Sequence, residues 1–177
     1  AQEMLAGRLQ PFAHGHKLPV AALLPAGPPA LPALLRRKAE GYSVFKWKIG
    51  LASPPEEFSL LEQLLAGLPA GGRLRLDANA ALGRREWAAW CDGLNALGPA
   101  ARAIEYFEQP FPLATGAAGW REQRRLAAVS SVPVALDEGV AEWTAARRAQ
   151  AARWPGPLVV KPSLLGDGAE FLRWRTK

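Results

Sequence analysis

The chain has 177 residues, of which 49% are hydrophobic and 21% charged, a composition typical of a globular protein. The formal net charge is +6, which raises the question of nucleic acid, but the basic residues are scattered and do not alternate with aromatic residues, so nucleic-acid binding is not expected. No apolar run approaches the ~20 residues that a membrane span needs, and none is predicted.

Cysteine and histidine give little support to metal or thiol chemistry. The single cysteine, Cys91, allows no intrachain disulfide and indicates a reducing, cytoplasmic compartment. It falls in an apolar helical segment, so a buried structural thiol is predicted. His14 and His16 lack further ligands nearby, and a plain loop is predicted there.

Short apolar segments alternate with amphipathic segments from residue 18 onward. The apolar segments are predicted strands, and the segments between them are predicted helices with leucines at helical spacing. The predicted strands are 18–25, 43–50, 73–79, 103–110, 132–139 and 157–162. A further helix is predicted near the end of the sequence, over 168–177.

This alternation predicts consecutive β/α units and a parallel sheet. The period is roughly 25 to 30 residues, as expected when a helix connects each strand to the next. The strands are short and apolar, which is typical of parallel strands covered on both faces. No Gly-x-Gly-x-x-Gly follows the first strand, so a dinucleotide-binding fold has no direct support.

Ionisable residues recur at the ends of five successive predicted strands. Any one of them alone would be an ordinary solvated side chain, but they occupy the same relative place in each strand. In a (β/α)8 barrel the carboxyl ends of the strands converge on one active site. In chain order the residues are Lys46 and Lys48, Asp77, Glu108, Asp137 and Lys161.

The three acids of this set predict a metal site. Asp77, Glu108 and Asp137 would repel one another when brought together, and a hard divalent cation with oxygen ligands, Mg²⁺ with Mn²⁺ as the alternative, resolves that repulsion. Lysines flank the acids, and nearby positive charge makes a neutral amine available as a base. Metal and lysine together suit removal of a proton alpha to a carboxylate. Glu138, next to Asp137, is expected to face the other way.

The motifs "KWK", "LDAN", "YFEQP", "ALDEG" and "VVKP" resemble those of the enolase superfamily, and within it the muconate-lactonizing subgroup. The resemblance implies a (β/α)8 barrel of which this chain holds about the first six β/α units. Residues 1–17 would then be the tail of a linker from a capping domain, and 18–177 a partial catalytic barrel.

The resemblance also implies roles for the strand-end residues. Lys48 would be the base that takes the alpha proton, Lys161 would stabilise the enediolate, and Lys46 would tune Lys48 and contact the substrate carboxylate. The Mg²⁺ ligands would be the three acids, with Asn79 and Gln109 as supporting groups behind them.

Several reactions remain open at this point. The first-strand motif "LPVAALLPAG" and the sixth-strand motif "VVKPSLLGD" most resemble those of one lyase of this subgroup. That resemblance implies dehydration of 2-succinyl-6-hydroxy-2,4-cyclohexadiene-1-carboxylate to o-succinylbenzoate in menaquinone or phylloquinone biosynthesis. Racemisation of N-acylamino acids or epimerisation of dipeptides is the alternative, since two facing lysines suit a two-base reaction, and muconate cycloisomerisation is a weaker one. A non-catalytic half-barrel is the alternative of another class. The expected partner is a small carboxylate substrate.

Overall fold

The computed structural model describes residues 20–114, 116–140 and 144–161. In these ranges strands alternate with α-helices, and two 3-10 helices lie in the connections. The strands are β1 (Ala22–Leu24), β2 (Val44–Lys48), β3 (Arg73–Asp77), β4 (Ile104–Glu108) and β5 (Val134–Ala135). The α-helices are α1 (Ala30–Ala39), α2 (Pro54–Gly67), α3 (Arg84–Ala96), α4 (Gly116–Ala127) and α5 (Ala145–Ala151), and the 3-10 helices are Gly98–Ala103 and Glu138–Val140.

The five strands form one parallel sheet in the chain order β1-β2-β3-β4-β5. A helical crossover leads from each strand to its neighbour, and parallel crossovers have a single preferred hand, so successive units advance around the sheet in one direction. This is the arrangement of consecutive units in a (β/α)8 barrel. The predicted parallel α/β fold is therefore confirmed.

Aromatic side chains fill the core between the sheet and its helices. Trp87 and Trp90 of α3 meet the ring of Phe107 on β4 edge-on, with ring centroids 5.1 and 5.2 Å apart. All three side chains are buried. This edge-to-face geometry is the favoured one for packed aromatic rings, and it holds α3 against the middle of the sheet.

The packing of β2 decides where its two lysines point. Phe45 and Trp47 are fully buried in the core. Because side chains alternate along a strand, Lys46 and Lys48 lie on the opposite face, which we call the inner face. Leu23 of β1 is the register partner of Lys46 and shares this inner face.

The last two predicted strands are shorter than expected. Instead of 132–139, β5 covers two residues, because the chain turns into the 3-10 helix Glu138–Val140 directly after Asp137. The predicted strand 157–162 appears as one parallel bridge between Leu136 and Leu158. The Val159 amide donates to the Leu136 carbonyl at 2.7 Å, which keeps this segment beside the end of β5.

Other predictions concern the core and the ends of the sequence. Cys91 is buried, as predicted, and burial, aided by Asp92, raises the pKa of its thiol to about 11.

The predicted strand 18–25 appears as β1, with residues 18 and 19 outside the described residues. The predicted loop with His14 and His16, the segment 1–17 and the helix 168–177 also lie outside them. No helix of the described ranges is both long and apolar enough to span a membrane.

Candidate active site

The carboxyl ends of the strands lie side by side at one edge of the sheet. Lys48 is the register partner of Asp77, and Asp77 is the register partner of Glu108. Glu108 in turn pairs with Ala135 of β5, so that Asp137 follows at the end of the next strand. The structure thus brings together residues that are far apart in the sequence.

Lys46 bridges two of the three acids. Its Nζ lies 2.8 Å from Asp77 Oδ2 and 2.6 Å from Glu108 Oε1. Burial acts to lower the pKa of Lys46, but the hydrogen bonds to the two carboxylates outweigh burial, and its pKa is raised. Lys46 is therefore a charged counter-ion of the acids in this structure.

Glu108 is the most deeply placed of the acids. It is fully buried, and burial, opposed by the hydrogen bond from Lys46 and reinforced by the charge of Asp77, raises its pKa to about 7. Its Oε2 is buried and has no hydrogen-bond partner among the described residues. A buried oxygen of this kind is costly unless something else binds it.

Lys161 pairs with the third acid. Its Nζ lies 2.7 Å from Asp137 Oδ1 and 2.6 Å from Oδ2. The hydrogen bond to Asp137 is the main reason that the pKa of Lys161 is raised. The Lys161 side chain is 50% exposed, so it is more accessible to solvent than Lys46.

Lys48 differs from the other two lysines. It is exposed at the end of β2. Within the described ranges, no hydrogen bond or ion pair joins its amine to another residue. Of the three lysines at this edge, Lys48 is thus the amine that no acid of the described residues engages.

Gln109 connects the ends of β4 and β5. It is fully buried, and its Oε1 accepts from the amides of Asp137 at 3.1 Å and Gly139 at 3.0 Å. Its Nε2 donates to the Phe111 carbonyl at 2.9 Å. Its backbone φ of 36° lies in the left-handed region, which costs on the order of 1–3 kcal/mol for a residue with a side chain. The amide network stabilises this conformation and places Asp137.

Asn79 contacts a residue that sequence reasoning left out of the site. Its backbone amide donates to Asp77 Oδ1 at 3.0 Å, and its Nδ2 donates to Glu138 Oε1 at 3.1 Å. Glu138 was expected to face the other way, but strand alternation stops where its 3-10 helix begins, so the face rule no longer applies to it. No sequence signal marked this turn.

The acids of the site suit a hard divalent cation. Their carboxylate oxygens are the donor type that Mg²⁺ prefers, and the unpartnered Oε2 of Glu108 offers a buried oxygen. In this structure lysine ammonium groups contact the acids, and no three His, Cys, Asp or Glu side chains of the described residues are grouped so that they could hold a metal ion. The donor chemistry therefore fits the cation, while the observed positive charge comes from Lys46 and Lys161.

Comparison with known proteins agrees with this architecture. The enolase C-terminal domain-like family matches residues 30–173. The o-succinylbenzoate synthase of Thermosynechococcus vestitus is 40% identical over 152 residues, which are 84% of this chain and 44% of that protein.

Solved structures of enolase superfamily members also resemble this chain. The crystal structure of o-succinylbenzoate synthase from Thermosynechococcus elongatus BP-1, complexed with Mg in the active site, is 35% identical, with a TM-score of 0.74 over 96% of this chain and 51% of that chain. A magnesium-complexed enolase superfamily member from Roseovarius nubinhibens ISM is 25% identical, with a TM-score of 0.69 over 90% of this chain and 40% of that chain. The chain thus spans about half the length of the relatives that it matches, and it belongs to the enolase C-terminal domain-like family of the enolase superfamily.

Proposed function

We propose that this chain carries catalytic strand ends of an o-succinylbenzoate synthase. The observation that carries the proposal is the 40% identity to a synthase of this name. The reaction is the syn-dehydration of 2-succinyl-6-hydroxy-2,4-cyclohexadiene-1-carboxylate to o-succinylbenzoate, which places the protein among carbon–oxygen lyases of the EC 4.2.1 type. Menaquinone or phylloquinone biosynthesis in the cytoplasm would be its setting.

Each lysine has a separate role in this proposal. Lys48, the amine that no described acid engages, takes the proton alpha to the substrate carboxylate and then returns it to the departing hydroxide. Lys161 stabilises the enediolate from the opposite side, lying against the ring as a cation–π partner. Lys46 balances the charge of the acids, tunes Lys48 and contacts the substrate carboxylate.

The acids Asp77, Glu108 and Asp137 would hold Mg²⁺, with Mn²⁺ as the alternative ion. When bound, the cation supplies positive charge for the negative charge that develops on the substrate carboxylate. Asn79 and Gln109 orient two of these acids through the hydrogen bonds described above.

Racemisation of N-acylamino acids or epimerisation of dipeptides is the second candidate function. It is favoured by the strand order, in which Lys48 on β2 and Lys161 after the segment beside β5 lie on either side of the acids at the ends of β3 to β5. Two such bases could remove a proton on one face of a substrate and return it on the other.

One assay separates the two functions. The complete gene product that carries this sequence is given Mg²⁺ and either the cyclohexadiene carboxylate or N-acylamino acids and dipeptides. Dehydration of the first substrate is expected, and racemisation or epimerisation without dehydration would overturn the synthase proposal.

The variant Lys48→Ala tests the proposed base in the same assay. Its kcat is expected to fall by roughly 10²- to 10⁴-fold, the usual contribution of a general base, while calorimetry shows Mg²⁺ binding preserved. Lys38→Ala is the control, because Lys38 is exposed and its amine donates, among the described residues, to the Gly67 carbonyl at the end of α2. Near-normal turnover by Lys48→Ala would remove Lys48 from its role.

A further inference from the structure

A buried acid that has no part in the proposed chemistry binds the loop that follows Lys48. Glu57 is in the first turns of α2 and is 6% exposed. Buried carboxylates are uncommon unless they are paired. Among the described residues no lysine or arginine pairs with Glu57, and its partners are backbone amides.

The Glu57 carboxylate binds three consecutive amides of the β2–α2 loop. The Gly50 amide donates to both of its oxygens, at 2.8 and 3.0 Å. The amides of Leu51 and Ala52 donate to Oε1 at 3.1 and 3.3 Å. Hydrogen bonds to a charged acceptor are roughly twice as strong as neutral ones, so this carboxylate organises the loop 50–52.

The loop is also fixed on its other sides. The Ile49 amide donates to the Asp77 carbonyl at 2.9 Å, which continues the β2–β3 ladder past Lys48. Gly50 has a φ of 81°, and a Cβ placed on it would come within 3.3 Å of Ala81 and Leu82. The backbone that follows Lys48 therefore has contacts at each of its next four residues, and most of them are made by Glu57.

This arrangement affects the position of Lys48, because the Lys48 side chain has no hydrogen-bond or ion-pair partner among the described residues. Lys46 and Lys161 are held by acids, but the position of the Lys48 amine depends on where its backbone lies. A displacement of about 1 Å in a reacting group can cost about 10²-fold in rate. The β2–β3 ladder on one side of Lys48 and the loop 50–52 that follows it are thus what hold its backbone.

We infer that Glu57 is a positioning residue for Lys48, which it aims by fixing the loop 50–52. The inference rests on the proposed role of Lys48 as the base. It does not depend on the choice between dehydration and racemisation, because both reactions begin with removal of the alpha proton. A cap that only stabilises α2 is the competing interpretation of an acid at this place.

The chain offers a matched control in the preceding residue. Glu56 lies in the same helical turn and also binds the loop, but it accepts from Ser53, through the amide at 3.0 Å and the hydroxyl at 2.5 Å. It is exposed. Glu56→Gln therefore weakens the start of α2 without removing the contacts to residues 50–52.

The test compares Glu57→Gln with Glu56→Gln in the complete gene product with Mg²⁺ and the substrate that the wild type turns over. For Glu57→Gln we expect kcat to fall by roughly 10- to 100-fold with KM changed by less than about 3-fold, since positioning acts on the reacting geometry. The primary deuterium isotope effect on kcat, measured with alpha-deuterated substrate, should rise because proton removal becomes slower. Amide hydrogen exchange at residues 50–52 should accelerate. Glu56→Gln should match the wild type in kcat and isotope effect.

The isotope effect separates positioning from simple loss of folded protein. A smaller folded fraction lowers the apparent kcat and leaves the isotope effect unchanged, so that result would overturn the inference, as would wild-type kinetics in Glu57→Gln. If Glu57→Gln does not fold, Glu57→Asp, which keeps the charge on a shorter side chain, is read by the same criteria. A wild type that acts on none of the substrates would refute the proposed function, and with it the role of Lys48 on which this inference rests.

Discussion

Lys46 and Lys48 are separated by one residue on β2, yet their surroundings differ. Lys46 lies within 2.8 Å of Asp77 and 2.6 Å of Glu108. Lys48 shares the inner face but reaches no acid of the described residues. A paired ammonium group is held in its charged form, so it is a poor base. This contrast supports Lys48 as the proposed base and Lys46 as the counter-ion.

The environment of Glu108 is electrostatically unfavourable for its charged form. Removing a carboxylate from water raises its pKa, and the neighbouring charge of Asp77 adds to the effect. The hydrogen bond from Lys46 opposes both but does not cancel them. Active sites commonly hold strained charges of this kind at the expense of stability.

The variant Glu108→Gln should remove a pH dependence of stability. The folded pKa of about 7 lies above the usual 4.5, so between these values the folded protein holds more protons than the unfolded chain. Through this group the free energy of unfolding of the wild type falls as pH rises from 4.5 to 7, by at most about 3 kcal/mol. The free energy of unfolding is measured by urea denaturation in EDTA. The value for the wild type minus that for Glu108→Gln should therefore be smaller at pH 8 than at pH 5.

Glu56→Gln is the control for this measurement. Hydrogen bonds from Ser53 lower the pKa of Glu56 below 4.5, so its contribution is lost only as pH falls through more acidic values. The difference between wild type and Glu56→Gln should stay constant from pH 5 to pH 8. A pH-independent difference for Glu108→Gln as well would contradict the raised pKa.

At the level of elements, the turns after the strands position the site as much as the strands do. Gln109 ties the end of β4 to the amides after β5, and Asn79 ties the end of β3 to Glu138. Both residues have positive φ angles, 36° and 44°. These turns direct the amide side chains of both residues toward the chain that follows β5.

Replacing Gln109 with Leu should weaken Mg²⁺ binding. The Leu side chain is of similar size but leaves the amides of Asp137 and Gly139 without their acceptor. Loss of a group that orients a metal ligand typically costs roughly 10- to 100-fold in affinity. Isothermal titration of the complete gene product with MgCl₂ measures the change.

Gln123→Leu is the matched control. Gln123 of α4 is also a buried glutamine and donates to a backbone carbonyl, that of Pro112. Its loss should lower stability by about 1–3 kcal/mol and leave the Mg²⁺ affinity unchanged. Equal Mg²⁺ affinities of Gln109→Leu and the wild type would refute the orienting role of Gln109.

At the level of the whole molecule, the inner face of the described sheet is exposed at β1, whereas the acids of β3 and β4 on the same face are buried. Leu23 lies on this face and is 71% exposed, although the interior of a barrel is normally filled with packed side chains. The solved synthase is about twice the length of the part that this chain matches. In a closed barrel, the inward-pointing side chains of further strands would cover the inner face at β1.

The 177-residue chain, produced by itself, is therefore expected to dehydrate the cyclohexadiene carboxylate slowly or not at all. Its strand ends carry the proposed base and acids, but the exposed inner face at β1 admits water and holds the substrate poorly. The Thermosynechococcus synthase, assayed in parallel, serves as the positive control. Turnover by the isolated chain comparable to that enzyme would show that the described units suffice.

Much of the fold and part of the site could be predicted from local patterns. The alternation of apolar strands with amphipathic helices predicts the parallel sheet, because each element must bury one face. Strand periodicity likewise places Lys46 and Lys48 on one face, opposite Phe45 and Trp47. The family follows from the order of the strand-end motifs, and the comparisons confirm it.

Only the tertiary structure decided which charges meet. The pairing of Lys46 with Asp77 and Glu108 depends on strand register, and that of Lys161 with Asp137 depends on a single bridge between strands. No periodic pattern in the sequence predicts two further contacts. These are the contact of Glu57 with the loop that follows Lys48 and the contact of Glu138 with Asn79. The strength of hydrogen bonds and ion pairs falls steeply when the two groups are more than a few ångströms apart. Which groups pair is therefore decided by how the folded chain brings together segments that are distant in sequence.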